Sequence, residues 1–194
     1  MAVRRRLKPG YPIRTGRLLL RPWRLDEIDS YHEMRAHPDV ARYLYDEPLT
    51  RRQALAKLRG LRSVITEPDQ WINLAVEVAD TGTVVGDVGL CWRSQVHRQA
   101  EIGYSFHPDH RGRGYATEAA EAMVDLAFTG LGAHRVSGRL DARNTASARV
   151  LERLGLHHQA HLVQNEFIKG EWTDEVVYAV LASEWPARRP ARRE

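Results

Sequence analysis

The chain has 194 residues, 43% of them hydrophobic, which suits one domain with a sizeable core, and no stretch approaches the ~20 consecutive apolar residues of a membrane span. The formal net charge is +4 and the pI about 9.4, but Arg4, Arg5, Arg6 and Lys8 give residues 1–8 a charge of +4, and Arg188, Arg189, Arg192 and Arg193 with Glu194 give residues 188–194 +3, so residues 9–187 carry −3. That distribution argues against a nucleic-acid-binding core, the basic N-terminus lacks the apolar run of a secretory signal, and the lone Cys91 excludes an internal disulfide, all of which fits a cytoplasmic setting. Residues 1–12 and 187–194 are read as flexible basic tails, either solubilising or touching RNA or a ribosome, and 13–186 as a single domain. The segment from Thr15 to Trp23 suits a first strand. Asp26 is placed to cap a helix running to Ala36, Pro38 and Pro48 interrupt the next stretch, and Thr50 starts a helix with Leu55, Leu58, Leu61 and Val64 or Ile65 on one face. The period then becomes two. Trp71–Ala79 and Val84–Trp92 form a hairpin about the turn Asp80–Thr83, and Ala100–Phe106 adds a third antiparallel strand. Ala116, Ala119, Ala120, Met123, Val124, Ala127 and Leu131 mark a helix that Gly130 and Gly132 end. A strand over His134–Leu140, a short helix over Thr145–Leu154 and two strands near His158–Phe167 and Glu175–Leu181 complete the chain. The fold class is α+β: a mixed, mainly antiparallel seven-stranded sheet flanked by about four helices.

Between a strand and a helix lies Arg111-Gly112-Arg113-Gly114-Tyr115-Ala116. Its glycines let backbone N–H groups approach a ligand, and the helix that follows aims its positive end at the same place, which together suit an anion. A Walker loop needs Gly-Lys-Ser/Thr, and the dinucleotide fingerprint needs a third glycine where Thr117 stands. A glycine-rich strand–helix turn is also, more plainly, a tight connection.

Arg111-x-x-Gly114-x-Ala116 resembles the pyrophosphate-binding motif of the GNAT superfamily of N-acetyltransferases, Gln/Arg-x-x-Gly-x-Gly/Ala. TGRLLLRPW, AEIGYSFHP, GRGYATEA, NTASARVLERLG and GEWTDEVVYAVLASEW follow in the order of the RimJ/RimL-type branch, which acetylates protein N-termini and various small amines. The resemblance covers residues 13–186. It implies acetyl-CoA as co-substrate, no metal, and an amine acceptor, either a peptide N-terminus or a small molecule such as a polyamine or antibiotic. It also implies a splay between Ile102–Phe106 and Val136–Leu140. The pantetheine arm would lie there against Ile102, Gly103, Tyr104, Ser105 and Phe106, with the pyrophosphate on the amides of Arg111, Gly112, Arg113, Gly114, Tyr115 and Ala116. Asn144 matches a family asparagine that contacts the cofactor, and reads equally as a helix N-cap. The chain is a monomer or a homodimer on this reading, and the alternative outside the enzyme class is a non-catalytic acyl-CoA-binding module that kept the fold.

Acetyl transfer to an amine needs proton removal, carbonyl polarisation and stabilisation of the departing thiolate, but no nucleophilic residue. Cys91 is accordingly read as a core residue. Glu101, flanked by Ala100 and Ile102, resembles a glutamate used as base in some family members and would be tuned by an apolar setting; the alternatives are a carboxylate simply paired with an arginine, a base acting through water, or no dedicated base. The family's usual acid tyrosine is replaced by Leu151, so Ser147 is the hydroxyl available to the cofactor sulfur, or else a first-turn serine bonded to local backbone. Among nine histidines, His157, His158 and His161 lie close in sequence but lack the company of a zinc site. Trp71 and Trp92 read as core or rim residues. Trp172, in the last turn, is placed where the family shapes its acceptor pocket.

Overall fold

A computed structural model describes residues 6–185. Eight strands form one sheet in the order β1-β2-β3-β4-β5-β6-β8-β7: β1 Ile13–Arg14, β2 Leu18–Pro22, β3 Trp71–Val78, β4 Val84–Ser94, β5 Gln99–Phe106, β6 Arg135–Asp141, β7 His157–Ile168 and β8 Glu171–Leu181. The strand beyond the expected seven is the two-residue β1, which pairs with Leu19 and Leu20 and is too short for periodicity to register. Five helices accompany the sheet: α1 Ile28–Ala36, α2 Pro38–Ala41, α3 Arg51–Gly60, α4 Tyr115–Gly130 and α5 Thr145–Arg153. The unexpected one, α2, uses Pro38 as its first residue rather than as a breaker, where a missing N–H is harmless.

Local chemistry sets the boundaries. Thr50 starts α3 as expected, and it caps the helix with Gln53 in a reciprocal capping box. Asp26 does not cap α1. The Glu27 carboxylate instead takes the Arg24 backbone N–H at 2.9 Å and the Arg21 guanidinium, tightening residues 25–27 into a 3₁₀ turn. The face expected to run on to Ile65 stops at Gly60, and Ile65 pairs with Leu7. Leu7 is buried and the Tyr11 hydroxyl donates to the Ser63 carbonyl, so the stretch expected as a free N-terminal tail is fastened from Leu7 on. The basic residues before Arg6 and after Trp185 lie outside the described residues.

The core sits between the sheet and α4, whose Ala119, Ala120 and Ala127 allow close approach while Met123 and Val124 fill the space against Leu74, Val76, Val88 and Leu90. Tyr31, Met34, Val40, Leu49, Ala54 and Leu58 make a second cluster within α1–α3. No described helix is long and apolar enough to cross a membrane.

Candidate active site

The sheet opens at one place. β5 and β6 are parallel, because α4 carries the chain across, and they pair only at Gln99–Arg135, Ala100–Val136 and Glu101–Ser137. Past that point β5 continues on β4 to Phe106 and β6 on β8 to Asp141, so the two strands diverge. A cleft of about 390 Å³ lies on the loop side of the opening, and a larger one of about 800 Å³ on the side of α1, α3 and the β7–β8 hairpin. Tyr43, Leu44, Tyr104, Ser105, Asn144 and Ser147 line both.

The smaller cleft carries the features of a phosphate site. Gly112 and Gly114 have φ of 77° and 79°, a region that side chains strongly disfavour, and Gly114 caps α4 so that the first amides of the helix are open. A Cβ on Gly112 would meet nothing within 4 Å. His110 and Arg111 line the cleft from the loop, and Arg149 and Arg153 from one face of α5, so its walls are basic apart from Asp39. These donors, open amides and glycine clearance fit the pyrophosphate and phosphate groups of acetyl-CoA. Tyr104, Ser105, Phe106, Arg111, Gly112, Gly114, Tyr115, Ala116, Asn144 and Ser147 line it as expected, whereas Ile102 and Gly103 face the larger cleft. Arg113 lines neither. Its carbonyl accepts from Arg17 Nη1 at 2.9 Å, and Arg17 itself is held by Glu118.

The start of α5 fills the space between the clefts. Asn144 Oδ1 accepts the Ser147 N–H at 3.1 Å, so Asn144 caps the helix while also lining both clefts. The Tyr104 hydroxyl donates to the Ser147 carbonyl at 2.8 Å, and its burial raises its pKa, which makes it a poor proton donor. Both backbone groups of Ser147 are engaged, and the residue lines both clefts. Leu151 packs against Gly138, where a Cβ would stand 2.8 Å from its methyl groups, so α5 lies close on β6.

Glu101 lies in the larger cleft, but its setting is polar rather than apolar: Oε2 accepts from Arg93 Nε at 3.0 Å. The cause is cross-strand geometry, since Arg93 sits two residues beyond Cys91, the partner of Glu101. Cys91 is fully buried and its thiol is pushed up to about 12 by burial, in keeping with a core role. Trp172 lies apart from both clefts, 60% exposed against Phe167 on the hairpin, and Thr173 and Glu175 line the larger cleft in its stead. Strand alternation turns neighbours to opposite faces, which is why Thr173 rather than Trp172 looks inward. His161 is bonded to Asp174, and among the described residues no cluster of three potential ligands could hold a metal.

Sequence reasoning missed several contributors. Arg149 and Arg153 were visible as an i,i+4 pair after Asn144. Arg17–Glu118 and Arg35–Asp87 had no such signal, because their partners are 101 and 52 residues apart.

Residues 17–157 match the family model described as an acetyltransferase (GNAT) domain. An uncharacterized N-acetyltransferase, p20 of Bacillus licheniformis, is 28% identical over 171 residues, covering 88% of this chain and 96% of its own. The spermidine N(1)-acetyltransferase of Escherichia coli K12 is 26% identical over 168 residues, 87% of this chain and 88% of its own. Among solved structures, a GNAT-family acetyltransferase from Bacillus anthracis superposes with a TM-score of 0.78 at 27% identity, covering 87% of this chain and 97% of that one. A GCN5-related N-acetyltransferase from Brucella melitensis gives 0.79 at 26%, covering 96% and 86%. This chain belongs to the GNAT family and is an acetyl-CoA-dependent N-acetyltransferase.

Proposed function

We propose that the protein transfers acetyl directly from acetyl-CoA to a small primary amine that carries positive charge. One observation carries this reading: a phosphate-suited cleft and a carboxylate-rich cleft share a rim at the point where β5 and β6 part. Donor and acceptor entering from opposite sides would meet beside Glu101 and Ser147. The similarity to a spermidine acetyltransferase supports a cationic small-molecule acceptor. Acetyl-CoA, when bound, supplies the thioester. In this chain the loop amides of residues 111–116, with Arg111, Arg149 and Arg153, hold its phosphates, and the β5 backbone from Tyr104 to Phe106 with Asn144 aligns its arm. Glu101 takes the proton of the acceptor ammonium, directly or through water, and the hydroxyl of Ser147 hydrogen-bonds the departing thiolate. A peptide N-terminus of the RimJ/RimL type is the second reading, favoured by the exposed Phe167–Trp172 pair on the hairpin.

The test is thiol release from acetyl-CoA against polyamines, aminoglycosides, amino acids and N-terminal peptides. Release with none of the small amines refutes the first reading, and release with peptides alone establishes the second. Glu101→Gln should lower turnover by ~10²–10⁴-fold near neutrality and by less at high pH, where the amine deprotonates unaided. Activity near that of the native protein at all pH values would remove Glu101 from the proton path.

A further inference from the structure

The larger cleft is walled by six carboxylates and four basic side chains. Five of the carboxylates are already matched. Asp87 is held by Arg35 at 2.6 Å, Glu101 by Arg93 at 3.0 Å, Asp141 by Arg143 at 2.6 Å and Asp174 by His161 at 2.7 Å, and Glu175 pairs with Arg139. The remaining basic side chain of the wall, Lys57, is taken by Asp46. Glu166 is the exception: among the described residues it has no basic side chain within ion-pair distance, and the polar group that acts on it is the neutral hydroxyl of Tyr45. A phenol carries no positive charge and leaves that of a carboxylate uncompensated. The position is also fixed. β7 slips register between Leu162 and Glu166, with Gln164 at a φ of 49°, and at the hairpin tip Lys169 Nζ donates to the Ala41 carbonyl at 2.6 Å. The hairpin is thereby tied to α2.

We infer that Glu166 is a specificity-determining residue that binds a second, non-reacting ammonium of the acceptor, and that the preferred acceptors are extended amines bearing two or more positive charges. This rests on the reading of the acceptor as a small cationic amine. A cation at Glu166 would supply the charge partner that Asp87, Glu101, Asp141 and Glu175 already have in arginines.

The test compares kcat/KM for a short series of α,ω-diamines with that for amino alcohols of matching length, which keep the reacting amine and replace the far ammonium by a neutral hydroxyl. The native enzyme should prefer the diamines by about tenfold or more at the length that spans the cleft, and Glu166→Gln should abolish that preference. Tyr45→Phe, which leaves the carboxylate in place, should reduce it only in part. Equal use of diamines and amino alcohols by the native enzyme, or a preference that survives Glu166→Gln, overturns the inference while leaving the small-amine reading intact. Acetylation of neither series overturns the inference, and the small-amine reading falls with it only if aminoglycosides and amino acids are not acetylated either.

Discussion

Glu118 is where the N-terminal strand meets the candidate cofactor loop, and its removal should damage both stability and acetyl-CoA binding. Its Oε1 accepts from Thr15 Oγ1 at 2.6 Å and from the Arg17 N–H at 2.7 Å, and its Oε2 accepts from Arg17 Nε at 2.8 Å. Arg17 in turn donates to the Arg113 carbonyl and lies over the Tyr115 ring. The ion pair itself counts for little, because the Arg17 side chain is 51% exposed. The two hydrogen bonds from Thr15 and the Arg17 backbone reach a carboxylate only 17% exposed, and bonds to a charged group of that kind put the loss in Glu118→Gln at about 2 kcal/mol. In a chain of this size that corresponds to ~4–8 °C in Tm. Burial pushes the Glu118 pKa up, but the hydrogen bonds from Thr15 and Arg17 and the charge of Arg17 outweigh it and hold the pKa below its ordinary value of 4.5. For a carboxyl depressed in the folded state, the stabilisation is fully present above the unfolded value and is lost as pH falls through the folded one. Urea denaturation of the native protein and Glu118→Gln should therefore differ by about 2 kcal/mol at neutral pH and converge as the solution is acidified below the ordinary glutamate range. Calorimetric affinity for acetyl-CoA should fall in the variant, since the anchor of the Arg113 carbonyl is loosened. A stability difference under ~0.5 kcal/mol at neutral pH, or one that stays constant on acidification, would refute this account of the strand-to-loop anchor.

Asp87→Ala leaves the Arg35 guanidinium buried without its partner and should cost about 3–5 kcal/mol by chemical denaturation, part of which Asp87→Ala with Arg35→Leu should restore. Ser147→Ala should lower turnover ~10–150-fold, because the hydrogen bond it removes forms to a charge that appears only as the thiolate departs. Acetyl-CoA affinity should change little in that variant, and full turnover would show that the helix dipole or water suffices.

Much of the scaffold is legible in local chemistry. The apolar spacing of Ala119, Met123 and Ala127 marks α4, Thr50 and Gln53 announce α3, and the alternation in residues 71–106 describes a meander, because each depends on neighbours within a turn or one strand. The anion loop is legible for the same reason: two glycines at the start of a helix are a local signal, and both adopt positive φ. The hairpin turn is shorter than its polar composition suggests. Lys169 and Gly170, at φ of 51° and 85°, make a tight connection, so β7 and β8 absorb residues that read as loop.

What tertiary structure alone decided is how distant charges share one space. Nothing near Glu101 in the chain reveals that Arg93 on the adjoining strand pairs with it, nor does Trp172 reveal that strand alternation turns it outward and Thr173 inward. Length, amphipathic period and capping are fixed by covalent neighbours, and the sequence by itself determined those for this protein. Charge pairing across strands, the point at which β5 leaves β6, and the carboxylate left without a basic partner among the described residues at Glu166 depend on register and on which surfaces meet, and those are settled only when the chain packs.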